Sequence, residues 1–545
     1  MEFPRSIDSH RLGLGIFSIL IMSEFIKGVS PREYQEKIFK KCIEKNCLVV
    51  LPTGLGKTLI ALMLAVYRLE KFPSEKILFL APTRPLAEQH LKYFEKHLTE
   101  LFADMQLFTG SVSAKERKKI WNTANIIFST PQCIANDLKN YIYDLSEVSL
   151  LVEDEAHRCL KNYDYNFVAQ KYKQQAKNKK ILGLTASPGS EASKINDICK
   201  NLSIEEVEVR TRDSDDVKEY LQDLEFKKIM IDFPEDFVEI RNSMKKIFER
   251  YVENLKIKNV LFGPATKISL ILLQKKISGI LARNPGNFGY YSVASSCAQA
   301  IKIQHALELL ETQTLEGFNT YLKKLFEEAA NKKSKGVVAL VSSPEFAFAF
   351  NKTNELIAKN IEHPKVLILV DLIKSEIEQN ENAKIMVFSQ FRDTASLLSR
   401  ILNENKNIKS KIFVGQAKKA SKDGKGTGLN QKEQKQIISD FSDGEINVLC
   451  ATSIGEEGLD IPEVNAVIFY EPVASAIRKI QRTGRTARLM KGKSIVLVTK
   501  GTRDESYYYV SRSREKKMYS AIDEVKQGFQ KAEIKQKQSE IGRFF

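Results

Sequence analysis

Short apolar runs separated by amphipathic stretches organise the chain from about residue 30 onward. Apolar positions at helical spacing in PREYQEKIFKKCIEK (31–45) predict a helix, the run CLVVL (47–51) a buried strand, and TLIALMLAVYRL (58–69) a second helix. Between strand and second helix lies the glycine-bearing turn LPTGLGKT. Further strands are predicted at KILFLAP, MQLFTG, NIIFST, VSLLVED and KILGLTA, with helical sequence between them. Uninterrupted apolar runs alternating with helices mark strands buried on both faces, hence a mostly parallel sheet. This first α/β unit ends near residue 210.

The pattern then changes. Residues from roughly 215 to 365 are rich in Lys, Glu, Leu and Ala, and segments such as FVEIRNSMKKIFERYVENLKIKN (237–259) carry helical periodicity. The patch ARNPGNFGYYSVASS (282–296) is expected to divide them into two helical groups. Alternation resumes near KIMVFSQ and continues to KSIVLVT, with the basic stretch KKASKDGKGTGLNQKEQKQ predicted as an exposed loop entering a helix. The expected organisation is a non-domain extension over 1–22, a first lobe over 23–212, a helical insertion over 213–365, a second lobe over 366–515 and a basic tail over 516–545.

At roughly 150 residues per domain, a chain of 545 residues suggests three or four domains. Apolar residues at 43% and charged residues at 28% exclude a disordered chain. Eighty-four Lys and Arg against 68 Asp and Glu give a net charge of +16, which favours a polyanionic partner, although a basic thermophile surface gives the same balance. Seven cysteines without paired spacing argue against a disulfide framework, and Cys42 and Cys47 lack the second half of a zinc site. The apolar run LGLGIFSILIM (12–22) falls short of the roughly 18 residues a membrane span needs and precedes no small-residue cleavage site. No membrane association is expected, and a cytoplasmic, nucleoid-associated protein is. The run is either upstream of a true initiator at Met22 or a short segment docked on the first lobe.

PTGLGKT (52–58) carries the strongest chemical signal, standing after a strand and before a helix. Gly54 and Gly56 let the backbone curl so that the turn's N–H groups surround phosphate oxygens at a helix N-terminus, with Thr53 a further nucleotide-binding residue of the same turn. Lys57 would reach the outer phosphates of ATP, and the Thr58 hydroxyl would ligate Mg²⁺. Asp154 and Glu155 end the apolar strand LLVEDEAH. There Asp154 would hold the metal, directly or through water, and Glu155 would orient and deprotonate the attacking water. His157 would link nucleotide state to neighbouring loops, and Glu153 is expected to point away from Asp154, toward solvent or a basic partner.

The ordered set PTGLGKT, APTRPLAEQH, STPQ, DEAH, TAS, VFSQFRDT, ATSIGEEGLDIP and QRTGRTAR resembles a superfamily 2 helicase of the DEAH-lettered kind over about residues 30 to 500. The resemblance implies two RecA-like P-loop lobes closing over ATP, with a helical, thumb-like domain between them. It also implies that Gln35 reads adenine, that Arg485 and Arg488 act as arginine fingers, and that Gly458 and Asp460 face the nucleotide between the lobes. Thr185 and Ser187 would join hydrolysis to lobe movement. Thr83, Arg84, Gly110, Thr130, Ser389, Gln390, Arg392 and Thr452 offer the small donors and guanidiniums that suit phosphate contacts along a single strand.

The helical insertion, DEAHRCLKNYDYNFVAQKY and GQAKKASKDGKGTGLNQKEQKQIISDF further resemble the archaeal Hef helicase region and its relative, the Fanconi anaemia group M protein. That family implies a 3′-to-5′ DNA translocase acting on single-stranded, forked or branched DNA at stalled replication forks. The alternative is a double-stranded-RNA-stimulated ATPase of the innate-immune kind, and no residue above separates the two. The sequence holds no ERKxxxD-like nuclease cluster, so translocation rather than cutting is expected, with any nuclease a separate partner. The last eight residues, QSEIGRFF, resemble a PCNA sliding-clamp peptide, with Gln538 as the polar contact and Ile541, Phe544 and Phe545 as anchors.

Overall fold

The structure, a computed structural model, describes residues 25–99, 102–161, 163–332, 334–415, 428–452, 461–484, 486 and 491–541. Seven strands, β1 (Cys47–Val50), β2 (Lys76–Leu80), β3 (Met105–Phe108), β4 (Ile126–Ser129), β5 (Val148–Asp154), β6 (Ile181–Thr185) and β7 (Glu206–Val209), form one sheet. Their order is β3-β4-β2-β5-β6-β1-β7, every pair parallel. Parallel neighbours need crossovers, and the crossover helices cover both faces. Alternate residues therefore feed two apolar layers: Leu48, Leu78, Ile127 and Leu151 on one face, Val49, Phe79, Phe128 and Val152 on the other. The order sets β5, β6 and β1 side by side, so their carboxyl ends bring the acidic box, Thr185 and the glycine-rich turn together.

A second parallel sheet contains β8 (Leu224–Ile231), β9 (Ile385–Phe388), β10 (Ser410–Phe413), β11 (Val448–Ala451), β12 (Ala466–Phe469) and β13 (Gly492–Thr499) in the order β10-β11-β9-β12-β13-β8. Here the structure departs from the sequence expectation. β8 lies inside the 213–365 stretch read as helical insertion, yet it pairs with β13 from Leu224↔Gly492 to Ile231↔Thr499. It is an edge strand of the second lobe, and exposed Lys227 and Lys228 suit that position.

Helical sequence between β8 and β9 forms a bundle. Phe237, Ile240, Met244 and Ile247 of the helix Glu235–Ile257 bury against Ile303, Leu307 and Leu310 of Phe288–Thr312. The expected break at 282–296 is narrower than its composition suggests, because helix Lys267–Arg283 gives way to Phe288–Thr312 across 284–287.

The helix Arg503–Ile541 leaves the second lobe and returns to the first. Met518, Ala521, Ile522 and Val525 join the apolar layer containing Ile195, Ile198 and Val207. Residue 516, where the sequence suggests a tail begins, is thus inside a continuous helix. No described helix is long and apolar enough to cross a membrane.

Candidate nucleotide and nucleic-acid site

The turn between β1 and the helix Lys57–Lys71 holds Gly54 at φ +90° and Gly56 at φ +73°, a backbone region that side chains disfavour. The helix has no acidic residue in its first turn, so its N-terminus suits an anion. Gln35 is attached to this loop. Its Oε1 accepts from Arg32 N–H at 2.8 Å, and its Nε2 donates to the carbonyls of Leu55 at 3.2 Å and Gly56 at 3.5 Å. The Tyr34 hydroxyl donates to Leu55 O at 2.9 Å. Lys57 Nζ donates to Leu51 O at 2.8 Å, folding its ammonium over the loop.

Across from it, Asp154 ends β5 and is buried, with its carbonyl held by the Tyr165 hydroxyl at 2.7 Å. Its Oδ2 lies 2.8 Å from Nε2 of His90. Burial pushes the Asp154 carboxyl up, but His90 and Lys57 outweigh it and hold the group below the usual carboxylate range. Glu155 adopts φ +53°, the kind of backbone outlier that clusters at functional sites. His157 Nδ1 lies 3.2 Å from Glu155 Oε2 and 3.1 Å from Thr185 Oγ1. Thr185 in turn receives the N–H of Ser187 at 3.1 Å, and its carbonyl accepts from Leu51 N–H at 3.0 Å. A contiguous path therefore runs from the acidic box through His157 and Thr185 to the start of the phosphate loop.

Glu153 corrects the sequence reading. It does point away from Asp154, but into the protein: its side chain is fully buried because β5 is covered on both faces. Burial pushes its carboxyl well above the usual range against the weaker pull of Cys159 and Lys173.

The second lobe meets the first beside the phosphate loop. A Cβ at Gly484 would come within 2.7 Å of Thr53 Cβ, so the end of the helix Ala476–Thr483 lies directly on that loop. Lys435 and Glu88 form an ion pair of 3.0 Å between the lobes. Arg485, Arg488, Gly458 and Asp460 lie outside the described residues, as do Phe544 and Phe545 and the side chains of Gln538 and Ile541.

Thr83, Gly110 and Thr130 follow the carboxyl ends of the neighbouring strands β2, β3 and β4. Arg84 and Gly110 are exposed, and Thr83 and Thr130 precede the helices Arg84–His97 and Pro131–Lys139. On the second lobe Gln390 is exposed and Arg392 Nη2 donates to Gly415 O at 3.2 Å. Ser389 and Thr452 are buried instead. Ser389 Oγ lies 3.5 Å from Gln313 Oε1 of the insertion, which takes that hydroxyl away from the expected strand surface. Sequence reasoning missed His90, although it stands in APTRPLAEQH: a histidine on the buried face of an amphipathic helix, alongside Ala87 and Phe94, reads as packing.

A phosphate loop and an acidic box on one lobe, with the second lobe's helix end resting on the loop, define a two-lobed DEAD/DEAH-box helicase of superfamily 2. Family models described as "DEAD/DEAH box helicase" and "Helicase conserved C-terminal domain" match residues 32–195 and 364–490. Residues 236–361 match one described as "Putative ATP-dependent RNA helicase, helical bundle". The Pyrococcus furiosus Hef helicase domain has a crystal structure similar to this one, with a TM-score of 0.68 and 43% identity over 88% of this chain and 98% of that one. The chain belongs to the Hef helicase family.

Among curated relatives, "Putative ATP-dependent RNA helicase MJ1505" of Methanocaldococcus jannaschii is 39% identical over 90% of this chain and 60% of its own length. "ATP-dependent DNA helicase fml1" of Schizosaccharomyces pombe is 32% identical over 88% and 58%, respectively. The Fanconi anemia group M protein homolog of Mus musculus is 32% identical over 90% of this chain and 26% of its own length. The chain thus spans less than two thirds of each of these relatives.

Proposed function

We propose that this chain is an ATP-driven DNA helicase that moves along one strand, 3′ to 5′, and unwinds or remodels forked and branched DNA. The observation that carries the ATPase reading is the convergence of Lys57, Thr58, Asp154 and Glu155 at the carboxyl ends of β1 and β5, which flank β6, with the second lobe seated on the phosphate loop at Gly484. The residues fit ATP and Mg²⁺: a helix N-terminus without acidic neighbours, an ammonium over the loop, and a hydroxyl and a carboxylate that both reach the same imidazole. Thr58 and Asp154 would hold the metal, which when bound supplies positive charge to the phosphates. Glu155 orients and deprotonates water, Gln35 recognises the base, and Arg485 and Arg488 complete the site from the second lobe. His157, Thr185 and Ser187 carry the change in nucleotide state toward the lobe boundary.

Thr83, Arg84, Gly110, Thr130, Gln390 and Arg392 grip phosphates of the strand, which positions it without reading sequence. The DNA reading is supported by the names of fml1 and of relatives titled "ATP-dependent DNA helicase mph1", together with the likeness to the Hef helicase domain. An RNA substrate is the second reading, favoured by the names of the Methanocaldococcus relative and of the helical-bundle family model. PCNA would recruit the protein through Gln538, Ile541, Phe544 and Phe545. A cytoplasmic, nucleoid-associated location and a separate structure-specific nuclease partner belong to the same reading.

The test is strand displacement on a 3′-tailed DNA fork and its RNA counterpart. ATP-dependent release from the DNA fork is expected; release from the RNA substrate alone overturns the DNA assignment.

A further inference from the structure

His90 stands between the two residues read as metal holders. Nε2 lies 2.8 Å from Asp154 Oδ2, and Nδ1 lies 3.4 Å from Thr58 Oγ1. The ring is buried and packs against Phe79, with centroids 4.5 Å apart and planes tilted by 35°, which restricts its orientation. An ionised carboxylate only accepts hydrogen bonds, so Nε2 carries the proton in that pair. Nδ1 faces the Thr58 hydroxyl, and in the tautomer that leaves Nδ1 without a proton that hydroxyl donates to it. The consequences for the two ligands are complementary. In that tautomer Thr58 turns its hydrogen toward His90 and its lone pairs away, while the Asp154 carboxyl is anchored at Oδ2 by the ring and also receives a hydrogen bond from the Glu155 backbone. Neither residue could be held this way by an apolar side chain at position 90.

We propose that His90 is a positioning residue for the metal site: one tautomer of one ring presents the oxygen atoms of Thr58 and Asp154 to a divalent cation bound with the nucleotide. This rests on the ATPase reading above. Outer hydrogen-bonding partners that orient metal ligands typically change metal affinity by about 10–100-fold when removed. The ring also sits on the helix Arg84–His97, which opens at Thr83 and Arg84. Six residues of helix, about 9 Å of rise, join Arg84 at the strand surface to His90 at the metal site.

The test compares full-length wild type, His90→Leu and His90→Gln. Binding of a fluorescent ATP analogue is measured in EDTA and across a Mg²⁺ titration without nucleic acid, beside Mg²⁺-dependent turnover. Gln retains one donor and one acceptor; Leu has neither. The expected result is equal affinity in EDTA for all three. In His90→Leu the half-saturating Mg²⁺ concentration rises about tenfold or more, excess Mg²⁺ restores much of kcat, and His90→Gln returns most of the lost affinity. If His90→Leu does not melt cooperatively, His90→Phe, which keeps a ring against Phe79, is read in its place. An unchanged Mg²⁺ half-saturation in the apolar variant overturns this proposal alone. Wild-type protein that binds no nucleotide overturns the ATPase reading and this proposal with it.

Discussion

The Ser187 hydroxyl lies 2.8 Å from the sulfur of Met518, joining the loop after β6 to the helix that returns from the second lobe. Ser187 is two residues from Thr185, which contacts His157, so the returning helix touches the path from the acidic box. Met518 is also buried in the first lobe's apolar layer. Met518→Ala should cost about 2–5 kcal/mol from lost burial and a cavity, whereas Met518→Leu should cost under about 1.5 kcal/mol. Chemical denaturation of both variants checks this. Equal losses would assign the effect to the sulfur contact instead of packing.

Gly56→Ala should weaken nucleotide binding at least tenfold. The substitution places a side chain at φ +73° and a Cβ 2.1 Å from Gln35 Nε2, so the amide must leave the loop. Fluorescent-nucleotide titration measures it. Wild-type affinity would show that the attachment of Gln35 to the loop has no part in binding.

Glu471 gives a pH signature. Burial raises its carboxyl to about 7, against the pull of Lys365 and Arg482 and with Asp504 adding to the rise. Between the ordinary carboxylate value and about 7 the folded chain binds this proton more than the unfolded chain does, so stability falls as pH rises through that window. Glu471→Gln cannot ionise and keeps an acceptor for Gln390 N–H. Its stability advantage over wild type should grow from pH 5 to pH 8, read from urea midpoints. A difference that is flat with pH contradicts the assignment.

The buried ion pair of Lys365 and Asp504 fastens the start of the returning helix. Lys365 also donates to Thr312 O at 3.0 Å, and Asp504 Oδ2 accepts from Thr499 N–H at 3.1 Å. Lys365→Met strands a buried carboxylate and should cost about 3–5 kcal/mol, part of which Asp504→Asn in the same chain should recover. A single variant with a wild-type urea midpoint would contradict this.

Motifs in the sequence announce the nucleotide site because each element of it is local: strand, glycine turn and helix follow within a dozen residues. The parallel sheets were equally legible, since strands buried on both faces read as uninterrupted apolar runs. β8 was not. Its mixed sequence LEFKKIMI sits in Lys- and Glu-rich surroundings, and its partner β13 lies more than 260 residues away. Burial was likewise invisible at Glu153 and Ser389, where residue type suggested exposure but the neighbouring layers close over the side chain. His90 was hidden for the opposite reason, because its helical position matched an ordinary core face.

The central claim is that the Lys57, Thr58, Asp154 and Glu155 constellation hydrolyses ATP in response to DNA. Steady-state ATP hydrolysis across matched single-stranded DNA, duplex, fork, four-way junction and double-stranded RNA, all at one salt concentration, tests it most directly. The account predicts the greatest stimulation by fork or junction DNA, abolished in Glu155→Gln while nucleotide binding is retained. Greatest stimulation by double-stranded RNA, or undiminished turnover in Glu155→Gln, would contradict it.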